Sequence, residues 1–247
     1  MMRGALAGAL AGGCAAVLLL GAAPAVAGRA APGRPATFKI YNNGFAGWAV
    51  ETKLTSAVVE FNAPKVTCTS VQSGISPSLA AVGRKYETYA AVEVECDAGL
   101  ANYVAAIELN GAPLQEIKET SVHVANGDLI RIAIKETLHA TAVTVHDLTN
   151  HTFRTETSKS GNPATEAQIG VNGLDLYQDG QPGELLPIMK FAPVHFSHDL
   201  LDAKRPGTFL QIAEYIRTSN GSIRGRILAE PTALSDKENF AVDFKRL

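Results

Sequence analysis

From Lys85 to Pro113 the chain reads KYETYAAVEVECDAGLANYVAAIELNGAP and alternates between apolar and polar positions. Tyr86, Thr88, Ala90, Val92, Val94 and Cys96 share one face by the strand period of two. Glu87, Tyr89, Ala91, Glu93 and Glu95 share the other. Beyond the link Asp97-Ala98-Gly99-Leu100-Ala101, Tyr103, Ala105, Ile107 and Leu109 lie opposite Asn102, Val104, Ala106 and Glu108. Two such runs around a Gly-containing link predict a β-hairpin. One face suits a core. The other, with its carboxylates and phenol, fits a cleft floor and an ordinary solvated sheet face alike.

The same texture continues on both sides of the hairpin. Strands are expected at Thr37–Tyr41, Trp48–Thr52, Ala57–Phe61, Leu129–Lys135, Ala140–Asp147 and Thr152–Thr157. Later runs are Gln168–Leu176, Leu186–Phe196, Phe209–Arg217, Ile223–Ala229 and Phe240–Phe244. Turn chemistry separates them, as at Asn42-Asn43-Gly44, Asn110-Gly111, Asn126-Gly127-Asp128 and Asn172-Gly173. Helical periodicity is confined to one short candidate, Asp199–Lys204. Regular short strands with Gly and Asn turns predict a single all-β sandwich domain over residues 37–247.

The first 27 residues stand apart from this pattern. Met1-Met2-Arg3 precedes an apolar run with Leu18-Leu19-Leu20, and Ala25-Val26-Ala27 is a small-x-small cleavage site. A signal peptide cut after Ala27 is therefore expected, making the product secreted. Cys14 lies inside the apolar run, with the leucines still to come, so it does not read as a lipid-accepting residue. Residues 28–36, beginning GRAAPGRP, read as a tether. The remaining 220 residues (247 − 27) can bury one sizeable core. A net charge of −2 gives no case for nucleic acid or an anionic membrane, and no later segment is long enough for a spanning helix. Cys68 and Cys96 form an even pair in an oxidising compartment, so a disulfide is expected. Asn150-His151-Thr152 and Asn220-Gly221-Ser222 fit the glycosylation acceptor pattern.

Few motifs of catalysis are present. There is no Gly-x-Ser-x-Gly elbow, no Gly-rich phosphate loop and no Cys-x-x-Cys pair. His195 and His198, three apart on a strand, point to opposite faces and do not make a metal pair; no metal or cofactor is expected. The remaining signal is carboxylate: Glu87, Glu93, Glu95, Glu108 and Glu166. Paired carboxylates can hydrolyse glycosides, or one can activate a water against an amide. The residues alone leave both open, together with a plain solvated face.

An ordered series of short matches narrows this. Gly44-Phe45-Ala46-Gly47-Trp48 resembles N-W-A-G-Y. Val59 to Cys68 (VEFNAPKVTC) resembles G-x-[FW]-x-V-P-x-V-x-C. Tyr103 to Glu108 (YVAAIE) resembles Y-x-A-W-Y-E, and Asn126-Gly127-Asp128 stands where P-G-D is usual. Val145 to Asn150 (VHDLTN) resembles I-x-D-L-T-T, and Thr165 to Ile169 (TEAQI) resembles A-E-W-I. Leu186-Pro187 through Phe196 resembles L-P-L-A-D-F-x-x-V-x-F. Ala229 to Ser235 (AEPTALS), followed by Phe240-Ala241-Val242, resembles the run A-x-P-S-x-L-S…F-T-V. From about Gly44 to the C-terminus the chain thus resembles the glutamic peptidases, the eqolisin family of secreted acid endopeptidases.

The resemblance implies a lectin-like (concanavalin-like) sandwich of two antiparallel sheets and a polypeptide substrate or ligand; a monomer is expected. It implies Glu166 as general base for the attacking water. The family's glutamine, an oxyanion donor, falls at Tyr89, seven residues before Cys96, with Ala91 at the motif glycine. Trp48, Glu93, Glu108 and Gln168 are the expected cleft residues, while Ala81, Ala106 and Gln168 stand at the family's cleft tryptophans. Two readings follow. In one, the Tyr89 hydroxyl replaces the glutamine and an acid peptidase is retained. In the other, the sandwich persists as a non-catalytic secreted module that binds peptide or glycan.

Overall fold

The computed structural model describes residues 37–42, 44–118, 120–178, 181–209, 211–217 and 226–245. The expected signal peptide and tether, the Asn220 acceptor site and the start of the run from Ile223 lie outside them.

The strands are β1 (Thr37–Asn42), β2 (Phe45–Leu54), β3 (Ser56–Asn62), β4 (Val66–Thr67), β5 (Ser73–Gly83), β6 (Glu87–Asp97), β7 (Leu100–Glu108) and β8 (Gln115–Glu116). They continue as β9 (Leu129–Glu136), β10 (Thr141–Asp147), β11 (Thr152–Ser158), β12 (Ala164–Gly173), β13 (Asp175–Gln178) and β14 (Gln181–Leu185). The last are β15 (Lys190–Phe191), β16 (Val194–Leu201), β17 (Gln211–Arg217), β18 (Ile227–Pro231) and β19 (Phe240–Phe244). One curled sheet runs β11-β10-β9-β3-β16-β19-β18-β17-β2-β12-β5-β6-β7-β8, with β1 beside β17; β13–β14 and β15–β4 are small separate ribbons. Pairing in the large sheet is antiparallel except for β1 with β17. The two faces of the sandwich are therefore two halves of one sheet, continuous through β17, β18 and β19.

The halves meet where β5 lies over β3 and β9, β6 over β9 and β10, and β12 over β16. The inward positions make the core. One half supplies Trp48, Val50, Leu79, Ala81, Val92, Val94, Ala167 and Ile169, and the other supplies Phe61, Ile132 and Phe196 among others. Phe196 stacks on Phe240 at 4.8 Å and tilts against Phe61 at 5.5 Å. Burial of each such ring contributes on the order of 2–3 kcal/mol. Cys68 and Cys96 are bridged, Cα to Cα 5.3 Å, which ties the chain after β4 to the end of β6.

Several expected elements change. Asp199–Lys204 is not helical: Asp199 to Leu201 finish β16, and Asp202 and Ala203 take left-handed turn conformations. The Asp202 carboxylate stabilises that turn by accepting from the Thr55 and Ser56 N–H groups, both at 2.8 Å. A single strand over Leu186–Phe196 is divided into β15 and β16, with Pro187 and Pro193 outside both. The alternation assumed for His195 and His198 is interrupted by a bulge at Ser197–Leu200, with His198 at φ +53°. Both histidines are exposed, and His198 contacts Glu60 at 3.0 Å.

Candidate active site

The outward face of β2, β12, β5, β6 and β7 is arranged in rows by the strand register. One row holds Glu51, Glu166, Val82 and Glu87. The next holds Ala49, Gln168, Ala80, Tyr89 and Glu108. A third holds Gly47, Gly170, Ser78, Ala91 and Ala106. Period-two alternation puts all of these opposite the core positions. The centre is made of small side chains, while carboxylates and amides stand along one end.

Gln168 and Glu166 are two residues apart on β12 and so share this face. The Gln168 Nε2 donates to Glu166 Oε1 at 2.7 Å, and both side chains are half-buried. Acidic neighbours surround the pair. Burial, then the charges of Glu108 and Glu166, push the Glu87 carboxyl up to about 7. Burial and the Glu166 charge also raise Glu214, against a lowering hydrogen bond from Asn42. Glu93, farther along β6, is pushed up to about 7 by burial and then by Glu116 and Glu95. Glu87 and Glu93 are therefore neutral in mild acid, and for Glu87 this relieves repulsion with Glu166.

Tyr89 shares the face but is directed elsewhere. Its hydroxyl lies 2.6 Å from Ser76 Oγ, at the far end of β5, and burial raises the phenol well above its ordinary range. Asn172 donates to Ser78 Oγ at 2.8 Å, completing a polar patch there. Val82, the residue aligned with Glu166, lies six positions along β5 from Ser76, or ~20 Å of extended chain. Tyr89 and Glu166 thus occupy one face without converging.

The expected cleft residues divide. Glu108 and Gln168 lie in the row of Tyr89, and Glu93 is on the same face two positions beyond Ala91. Trp48 is on the other face: its ring is buried in the core, only 6 % exposed, and its indole N–H donates to the Thr232 carbonyl at 3.2 Å. Opposite parity on β2 is the reason. The aromatic on the outward face is Phe45, whose ring covers Gly47 and Gly170. Ala81 likewise faces the core, so it is no cleft position. Ser76, Ser78, Asn172 and Glu214 were not singled out from sequence and needed the register; Glu87 was read there as a candidate carboxylate on the face of Tyr89. Among the described residues, no cluster of three or more His, Cys, Asp or Glu side chains could hold a metal ion. A separate cavity of about 550 Å³ is lined by residues that include Tyr103, Glu116 and His123.

At the level of sequence, no family model and no curated protein matches this chain. Solved structures do. A scytalidoglutamic peptidase with a transition-state analogue inhibitor superposes with a TM-score of 0.68 at 11 % identity, covering 83 % of this chain and 100 % of that one. The fold is that of the glutamic peptidases. The eqolisin SCP-B, in complex with the tripeptide Ala-Ile-His, gives a TM-score of 0.65 at 12 % identity over 83 % of this chain and 100 % of its own. The aspergilloglutamic peptidase of Aspergillus niger gives 0.55 at 17 % identity, over 70 % and 99 %. The glutamic peptidase fold therefore spans most of the described chain.

Proposed function

We propose that this chain is a secreted peptide hydrolase of acid pH, with Glu166 as its general base. The observation that carries the reading is the Glu166–Gln168 pair, half-buried and hydrogen-bonded on the outward face beside the raised carboxyl of Glu87. The transition-state analogue and the tripeptide held by two of the similar structures support a polypeptide as the ligand class.

In this reading the Glu166 carboxylate takes a proton from a water, and the hydroxide so formed attacks the scissile carbonyl carbon. The C=O π electrons move onto oxygen, giving a tetrahedral oxyanion that needs a nearby donor. As the oxyanion collapses, the C–N bond breaks and protonated Glu166 gives its proton to the departing nitrogen. A carboxylic acid and an amine result, and Glu166 is again a carboxylate.

A second reading, a non-catalytic module for peptide or glycan, is favoured by one observation: the residue in the family's glutamine place is Tyr89, whose hydroxyl is engaged with Ser76. The two separate in one assay. Purified protein is incubated with a denatured protein substrate from acid to neutral pH, beside Glu166→Gln. Cleavage by the parent that vanishes in a folded Glu166→Gln supports the hydrolase. A folded parent without turnover that still retains peptide on a column supports the module.

A further inference from the structure

The site as built lacks a donor at the position where the resemblance places one. Tyr89 is committed to Ser76, and among the described residues the row of Glu166 holds Val82 and the carboxyls of Glu51 and Glu87. A neutral amide, Gln168, stands beside Glu166 on its own strand. Its nitrogen sits 2.7 Å from Glu166 Oε1, so it lies beside any water or carbonyl carbon that Glu166 addresses. A primary amide carries two N–H bonds, and the contact with Glu166 uses one. Gln168 itself is only half-buried, although Ala49 and Ala80, aligned with it on the adjoining strands, are buried.

We propose that Gln168 is the oxyanion donor of this site: the amide that holds Glu166 also receives the charge developing on the substrate's carbonyl oxygen. Donor and base then come from one strand, two residues apart, instead of from separate strands. The inference rests on the peptide-hydrolase reading above. The second N–H is set before the substrate arrives, because the first is held by the carboxylate. A donor fixed in that way stabilises the transition state more than the bound substrate, since the carbonyl oxygen gains its charge only on attack. Its loss is therefore expected in kcat, with KM little changed.

The test measures kcat and KM on one quenched-fluorescence peptide at acid pH for the parent, Glu166→Gln, Gln168→Leu, Gln168→Met and Tyr89→Phe. Circular dichroism and melting confirm that each is folded. Gln168→Leu and Gln168→Met are expected to lose roughly 100- to 1,000-fold in kcat with KM within a few-fold. Tyr89→Phe is expected to lose far less kcat than either Gln168 variant. A peptide carrying a tetrahedral hydroxyl in place of the scissile carbonyl is expected to bind the Gln168 variants more weakly, in parallel with kcat/KM. Binding of a plain product peptide stays unchanged, which a merely structural role for Gln168 does not predict. A parent that cleaves while both Gln168 variants cleave as well as it does overturns this inference alone, as does a large kcat loss in Tyr89→Phe with none at Gln168. A folded parent with no cleavage overturns the hydrolase reading and this inference with it.

Discussion

Gly47 and Gly170 stand opposite each other on β2 and β12, under the Phe45 ring. A Cβ on Gly170 would lie 2.3 Å from the Ala46 carbonyl oxygen and 2.8 Å from the Phe45 ring, and backbone cannot move aside cheaply. Gly170→Ala is therefore expected to cost roughly 1–3 kcal/mol by overpacking, read as a lower denaturation midpoint with an unchanged slope. It is also expected to tilt Phe45 and disturb Gln168, two residues away on the same face. At this scale the sequence showed which residue types were present and on which parity. Glu93 and Glu108 were legible in that way, whereas Glu166 and Gln168 came from the resemblance. Trp48 was misplaced because a motif position was carried over without its parity, and Phe45, at the other parity, faces outward instead. The direction of the Tyr89 hydroxyl was not legible, since it depends on a partner on a strand that the pattern did not reveal.

That strand is β5, and its case shows why elements differ in how plainly they read. The β6–β7 hairpin was visible because one of its faces is apolar and the other bears glutamates. In β5 both faces are buried over most of its length, so the alternation disappears. Gly74, Pro77 and three serines then resemble a loop. Pro77 is tolerated because the pairing with β6 passes from Ile75 to Ser78 without it. The bulge in β16 is another feature that turn chemistry does not announce, and it displaces His198. The Cys68–Cys96 bridge was legible as the even pair expected to meet an oxidising compartment. It closes a separation of 28 residues, so its reduction is expected to cost roughly 3–4 kcal/mol of stability on the chain-entropy model. Urea unfolding with and without reductant measures this, and thiol titration of the unfolded, unreduced mature protein should find neither Cys68 nor Cys96 free.

Across the whole molecule the buried carboxyls act together. Glu87 and Glu93 are raised from 4.5 to about 7, chiefly by burial. Burial also raises Glu136, and it raises Asp199 strongly with added repulsion from Glu238 and Glu60. A folded-state value above the unfolded one means that the native protein binds protons more tightly. The stability due to Glu87 and Glu93 is thus full below about pH 4.5 and is lost as pH rises through about 7. Allowing for solvent screening of half-buried groups, each contributes roughly 1–2 kcal/mol. The melting temperature is expected to fall between those pH values, and Glu87→Gln with Glu93→Gln should flatten the profile. The preference of these groups for the native state in acid is in keeping with the acid hydrolysis proposed above. The central claim remains that Glu166 activates water against a peptide bond, and one comparison addresses it directly: turnover of a denatured protein substrate at acid pH by the parent and by Glu166→Gln, both shown to be folded. Cleavage by the parent is expected, with a loss of at least about a thousand-fold in the variant, the scale of removing a catalytic base. Equal cleavage by the two, or none by a folded parent, would contradict the claim.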